Sequence, residues 1–288
     1  MERNPILEGL FATQAVQVSP PDAPFWYTSG KFGPYYVNTH YLFGGRKSAE
    51  EALAAIDAAV LDRASCPGRL RTLFLEGYAR DPVYRTCIDA LCDAVRRIQP
   101  DRPPRLLSGG ERRDWYFSLP VADRLGLPHV SLFKDGEAWL SEPGSAAPAR
   151  KLAPGSLQDL RAVHVVDIVT EASSFLRAWI PFLQGLGAVF EDALTVVDRV
   201  QGGTEALAEH GVRLHALARV TPPLFHEAAE AGHITAAQAD LAVRFTGDPD
   251  GFLRSFLAEH PGFLDRTLAL GGKNAEKAKL GREKGFYG

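Results

Sequence analysis

Short apolar runs alternate with stretches of helical period from the start of the chain to about residue 220. Tyr84, Ile88, Leu91, Val95 and Ile98 recur at steps of four and three, the period of one helix face, and Pro100 ends the run. Ser48 to Arg63 carries Leu53, Ile56 and Val60 in the same way. Between such stretches lie six runs that predict strands: Arg71–Glu76, Arg105–Ser108, His129–Phe133, Val163–Val169, Val189–Val197 and Arg213–Arg219. Val163–Val169 is apolar but for His164 and Asp167, as a strand covered on both faces should be. The alternation predicts an α/β fold, a mainly parallel sheet flanked by helices. Pro181, inside the helical pattern after Ser174, predicts a kink or the start of a new helix.

After Val220 the texture changes to helix upon helix. Pro222 opens one and Gly232 closes it. Thr235 with Gln238 three residues on predicts a capping box, and Asp248-Pro249 opens a further helix that must end before Pro261. The expected organisation is a domain over 1–220 and a helical C-terminal extension over 221–288. From Gly272 the extension is basic and punctuated by glycine. Such a tail is expected to be frayed and solvated, the alternative being a tail that docks on a neighbour or an anionic ligand.

Composition narrows the function classes. The 288 residues are 45% hydrophobic and 23% charged, ordinary globular usage that excludes a disordered chain. A net charge of −3 offers no basic field for nucleic acid or an anionic membrane, so neither is an expected partner. No apolar run approaches the roughly 18 residues of a membrane span, and the first residues lack a signal-peptide core. Cys66, Cys87 and Cys92 form no CxxC pair, which points to a reducing compartment and a cytoplasmic protein. The eight histidines show no metal-ligand spacing, so no protein-built metal site is expected. No GxSxG, GxGxxG or GxxxxGK[ST] pattern is present.

The stretch Val163-His-Val-Val-Asp-Ile-Val-Thr-Glu-Ala-Ser-Ser174 carries the clearest chemistry. A buried strand delivers an acid, and a turn of small residues leads into a helix. Backbone N–H groups at such a turn can hold a phosphate, and in an open parallel sheet ligands gather at the strands' carboxyl ends. A solvated strand–helix loop with an N-capping serine explains the same residues equally well.

Three further blocks accompany this one in order. They are Thr28-Ser-Gly-Lys-Phe-Gly-Pro-Tyr-Tyr-Val-Asn38; Gly109-Gly110, with Val121-Ala-Asp-Arg-Leu-Gly-Leu-Pro128 and Phe133-Lys134 following; and Val196-Val-Asp-Arg199 with Gln201-Gly-Gly203. Together the four resemble the type I phosphoribosyltransferases, in the order of their orotate branch, over about residues 25–220. The resemblance implies that fold, with a small N-terminal hood. It also implies an enzyme that transfers phosphoribose from phosphoribosyl diphosphate (PRPP) to a pyrimidine or similar carboxylated base. Mg²⁺ would be bound mainly through PRPP, and the enzyme would be a homodimer. By the same resemblance Asp167 and Lys134 serve the reacting centre, Asp167 at the ribose. Thr170, Glu171, Ala172, Ser173 and Ser174 hold the 5′-phosphate. Thr170 and Arg199, with Tyr35 and Tyr36, hold the base. Lys31, Arg112, Arg113 and Lys134 serve the diphosphate, the two arginines on charge and place alone.

The chain departs from the family pattern where a polyanion is handled. Val166 replaces the first of two paired loop acids, and Ala172 and Ser173 occupy positions usually glycine or another small residue. Thr28 and Glu137 stand where lysines are expected. Glu171 adds a negative charge beside the phosphate position. At about 5 Å and an effective dielectric near 20, two like charges repel by roughly 3 kcal/mol, about two decades of affinity. These departures motivate an alternative, a non-catalytic protein of the same fold that senses a nucleotide or base.

Overall fold

The alternating pattern resolves into a seven-stranded sheet: β1 (Leu106–Gly110), β2 (His129–Leu132), β3 (Ala138–Ser141), β4 (Arg150–Lys151), β5 (Arg161–Val169), β6 (Val189–Asp198) and β7 (Arg213–Arg219). The structure, a computed structural model, describes residues 4–287. Across the sheet the strands run β7-β6-β5-β1-β2-β3-β4. The five from β7 to β2 are parallel, and β3 and β4 add antiparallel edges. From β1 the chain passes to β2 on one side, then returns to β5 on the other. The gap between the carboxyl ends of β1 and β5 is therefore the switch point at which such sheets bind ligands.

Burial explains the strands. Residues 162–167 of β5 and 192–198 of β6 are buried without interruption, as central parallel strands between helical layers must be. Val166, Val169, Phe175, Trp179, Leu183 and Ala193 share one apolar cluster. Pro181 does start a new helix: a π-turn over Phe175–Trp179 gives way to an α-helix over Ile180–Gly185 with proline in its first turn. The Pro82–Arg97 helix buries Tyr84, Ile88, Leu91 and Val95, as their spacing requires, with Cys87 and Cys92 beside them.

Two expectations fail here. Arg71–Glu76 is no strand but the middle of a helix over Cys66–Arg80. Its buried residues are Cys66, Pro67, Leu70, Phe74 and Gly77, a helical period that the local run Leu73-Phe74-Leu75 conceals. The Gly45–Ala59 helix is real, but it turns Ala49, Ala52, Ile56 and Ala59 inward, leaving Leu53 and Val60 half-buried. Small residues there admit close packing that hydrophobicity alone does not signal.

The chain divides into two units by contact. The first comprises the residues through Ala15 with Thr39–Arg219, and holds the sheet. The second joins Val16–Asn38 to the residues from Val220 onward. In it Val16–Val18 pairs with Tyr35–Val37, and Phe25–Trp26 with Phe32–Gly33, both antiparallel. Helices over Pro222–Glu230, Ala236–Gly247, Pro249–Glu259, Phe263–Leu270 and Gly272–Glu283 complete it. The capping box of Thr235 and Gln238 forms, and Gln238 also donates to the Val18 carbonyl at 2.9 Å. Asp248 caps the next helix by accepting from Gly251 N–H at 2.8 Å.

The basic tail is docked rather than frayed. Lys277 donates to the Trp26 carbonyl at 2.7 Å, and the Tyr287 hydroxyl donates to the Gly30 carbonyl. Gly30, at φ 96°, lies so close to the last helix that a Cβ there would sit 2.6 Å from Gly281 N. No described helix is long and apolar enough to cross a membrane.

Candidate active site

A cavity of about 400 Å³ opens in the first unit at the carboxyl ends of β1 and β5. Lys134, Asp167, Thr170, Glu171, Ala172, Ser173, Ser174, Arg112 and Arg113, all singled out from the sequence, line it. So do Glu111, Asp114, Phe175 and Trp179, which were not.

The turn after β5 is shaped by close backbone approach. Ala172 adopts φ 55°, a left-handed conformation that its Cβ disfavours. Beneath the turn, a Cβ on Gly203 would lie 2.6 Å from the Thr170 carbonyl oxygen, so only glycine fits there. Among the described residues, no protein group accepts from the N–H groups of Glu171, Ala172, Ser173 or Ser174. Those donors, at the start of a helix and on the cavity wall, are disposed to receive an anion. Glu171 and both serines are exposed, so the Glu171 charge faces solvent as well as the cavity.

The two arginines are not equivalent. Arg112 Nη1 donates to both Asp57 carboxylate oxygens, at 2.8 and 2.6 Å. Arg113 is exposed on the cavity wall and has no ion-pair partner among the described residues. Lys134 sits in a tight turn between β2 and β3, closed by Phe133 N–H to the Glu137 carbonyl at 2.8 Å. The Glu111 carboxylate accepts from Lys134 N–H at 3.1 Å, while Arg63 holds Asp135 at 2.7 Å and lies over the Phe133 ring. Lys134 thus projects from a pinned turn. The Glu137 charge is met by Lys151 of β4 and by the Trp139 indole N–H at 3.0 Å, and these hydrogen bonds hold its carboxyl below the usual range.

The inner wall of the cavity carries a buried polar network. Asp167 accepts from the Thr39 hydroxyl at 3.0 Å and from Ile168 N–H at 2.7 Å. Asp114 accepts from Gly110 N–H at 2.9 Å and from Asp167 N–H at 3.2 Å. Burial pushes both carboxyls up, Asp114 the further because the Asp167 charge adds to it; Arg113 and Thr39 work against the shift at Asp167. His164 bonds to Ser108 at 2.8 Å, and His129 to Ser118 at 2.9 Å; burial takes both imidazoles down to about 3, so they are neutral.

The remaining expected residues lie elsewhere. Arg199 does not line the cavity, although its N–H donates to the Val169 carbonyl at 2.9 Å, just before the turn. Lys31, Tyr35 and Tyr36 belong to the second unit. Lys31 pairs with Asp250 at 2.6 Å, and Tyr35 is buried against Phe225 and Phe245. Tyr36 is half-buried beside Phe25 and Tyr27. Asp114 escaped notice because an aspartate before a helix reads as an ordinary cap; the signal available was an acid closely following a glycine-ended strand. Glu111 and Trp179 left no such mark.

No family model matches the chain. Over 133 residues it is 40% identical to an orotate phosphoribosyltransferase of Halobacterium salinarum, covering 46% of this chain and 69% of that protein. Among solved structures it is similar to an orotate phosphoribosyltransferase of Francisella tularensis (TM-score 0.53, 12% identity), covering 84% of this chain and 96% of that one. The UMP synthase of Leishmania donovani is similar too (TM-score 0.57, 14% identity), covering 84% of this chain but 41% of that longer protein. The two structures speak to the fold alone.

Proposed function

The chain belongs to the orotate phosphoribosyltransferase family, and from that premise we propose that it transfers phosphoribose from PRPP to orotate or a similarly carboxylated base. The observation that carries the reading is one cavity, at the switch point of a parallel sheet, that unites free N–H donors, an acid and two uncommitted cations. The N–H groups of residues 171–174 suit the 5′-phosphate, with the Ser173 and Ser174 hydroxyls beside them. Asp167 suits the ribose hydroxyls, and Arg113 and Lys134 the diphosphate. Thr170 and Arg199 are the proposed contacts to the base, because a guanidinium can engage both oxygens of a planar carboxylate.

In the reaction the bond from ribose C1′ to diphosphate breaks, a bond from C1′ to a ring nitrogen of the base forms, and that nitrogen's proton leaves to the diphosphate or to solvent. Positive charge grows on the ribose and negative charge on the departing diphosphate. The chain contributes alignment and charge, the terms that dominate when no strong base is required. Among the described residues no three histidine, cysteine or acidic side chains gather to hold a metal. A Mg²⁺ held mainly by PRPP would neutralise leaving-group charge. We further propose a cytoplasmic homodimer; three free, buried thiols are compatible with a reducing compartment.

Titration calorimetry with PRPP and Mg²⁺, then addition of orotate with assay of released diphosphate, tests the activity. Arg113→Ala is expected to cost about 1.5–3 kcal/mol of PRPP binding, the range for a lost charge-assisted contact. Arg112→Ala is expected to cost less, because Asp57 already holds that side chain. Unchanged affinity in the Arg113 variant would remove the diphosphate assignment. Failure of the wild type to bind PRPP or release diphosphate would remove the transferase reading itself.

A further inference from the structure

Asp114 stands immediately before the Trp115–Leu125 helix, where an aspartate ordinarily turns back to accept from first-turn N–H groups. Here it makes no such cap. Both of its oxygens instead serve strand ends, Oδ2 accepting from Gly110 of β1 and Oδ1 from Asp167 of β5. Those are the two strands between which the chain reverses direction. A buried carboxyl has thus forgone a local bond to fasten the two walls of the cavity together.

The surroundings decide the charge of the pair. Facing Asp114 from β5 are Asp167 and His164, whose Nε2 lies 3.9 Å from Asp114 Oδ2. On β2, His129 is taken up by Ser118 and Ser131. On the Pro82–Arg97 helix the Tyr84 hydroxyl is taken up by the Tyr116 carbonyl of the helix that Asp114 precedes. Both histidines are neutral; at Asp114 burial and the Asp167 charge outweigh the Gly110 and Asp167 N–H donors, whereas Arg113 and the Thr39 hydroxyl favour a charged Asp167. Two carboxylates this buried and this close in the fold cannot both ionise cheaply.

We infer that Asp114 is a positioning residue that shares one proton with Asp167, carrying it so that the cavity presents a single, fixed carboxylate at Asp167. Thr39, Ile168 N–H and the Asp114 hydroxyl hold that carboxylate in place for a ribose hydroxyl. Ionising Asp114 would put a second negative charge where a polyanion must bind. The function of this pair rests on the PRPP reading above; the shared proton does not.

Two measurements on wild type, Asp114→Asn and Asp114→Ala separate these. Infrared spectra of the ligand-free proteins at neutral pH should show a protonated carboxyl band in wild type that is missing from Asp114→Asn. Calorimetry with PRPP and Mg²⁺ across pH should show wild-type affinity falling about tenfold or more as pH rises and Asp114 loses its proton. Asp114→Asn, neutral at every pH, keeps an acceptor for only one of the two backbone N–H groups and should bind PRPP more weakly than wild type at neutral pH yet lack that fall, while Asp114→Ala, which keeps neither, should bind about tenfold more weakly throughout. Identical infrared spectra, or an Asp114→Asn pH profile that follows wild type, would overturn the inference. If wild type binds no PRPP at any pH, the donor reading fails, and the infrared comparison still decides the proton.

Discussion

The two units are built from different materials. The first is a parallel sheet with aliphatic strands, and it buries a set of polar groups: His40, His129, His164, Asp114 and Asp167. The second has only two-stranded pairings and short helices, and it is held by rings. Phe32 alone meets Trp26, Phe252, Phe256 and Phe263, and Trp26 stacks on Phe263 at 5.7 Å. A sheet can hold buried acids and imidazoles at fixed distances because neighbouring strands bind each backbone group. A ring cluster supplies cohesion and little polar precision. The difference teaches why the candidate chemistry sits at the carboxyl ends of the sheet's central strands, and why the second unit draws on two distant segments.

The comparison breaks first at Phe32. Phe32→Ala removes a fully buried ring and should cost about 3–5 kcal/mol. Hydrogen exchange should show the loss confined to residues 16–38 and those after Val220, with the sheet's protection unchanged. Loss of protection across β5 and β6 as well would show that the two units unfold as one.

Acid sharpens the contrast, because the buried histidines and aspartates among the described residues lie in the first unit. His129 and His164 have folded values near 3, far below an ordinary histidine. Between about pH 6.5 and 4 the unfolded chain therefore binds two protons that the folded chain refuses, so each stabilises the fold above that window and less as pH falls through it. Asp114 has the opposite sign. Its raised value means that the folded chain keeps a proton the unfolded chain has lost, which favours folding most at low pH. Two against one leaves about one proton, or roughly 1.4 kcal/mol of stability lost per pH unit. His40, taken to about 3 by burial and then by Arg113 and Arg112, adds to the loss, while the raised carboxyl of Asp167 offsets it. Urea titrations at several pH values, followed by hydrogen exchange in β1, β2 and β5, should show the sheet weakening before the ring cluster. A flat profile would mean that these groups are not buried neutral.

The smallest effect is at Ala172. Ala172→Gly removes the cost of a left-handed alanine but loosens the unfolded chain and gives up a buried methyl, so the unfolding free energy from urea titration should change by no more than about 1 kcal/mol. A loss above that would show that the methyl's packing outweighs its backbone strain.

Legibility followed the range of the interactions. Val163–Val169 could be read as a buried strand because its pattern is continuous and local. Arg71–Glu76 could not be read correctly, since a short apolar run fits periods of both two and 3.6. The turn at 170–174 could be found, yet the separation of Arg113 from Arg112 turned on Asp57, more than fifty residues away. Glu137 reads in the sequence as a lost cation, yet Lys151, on the strand next to β3, meets its charge.

By itself the sequence determined the α/β layering, the helix boundaries set by Pro222, Thr235 and Asp248, and the family blocks that point to phosphoribosyl transfer. These depend on neighbours within about a turn of helix or a strand, so periodicity and capping residues record them. Only the tertiary structure decided that residues 16–38 share a core with those after Val220, that the basic tail docks, and that Asp114 meets Asp167. Those are contacts between segments far apart in the chain. Their partners are chosen by burial and charge in three dimensions, and a one-dimensional pattern keeps no trace of them.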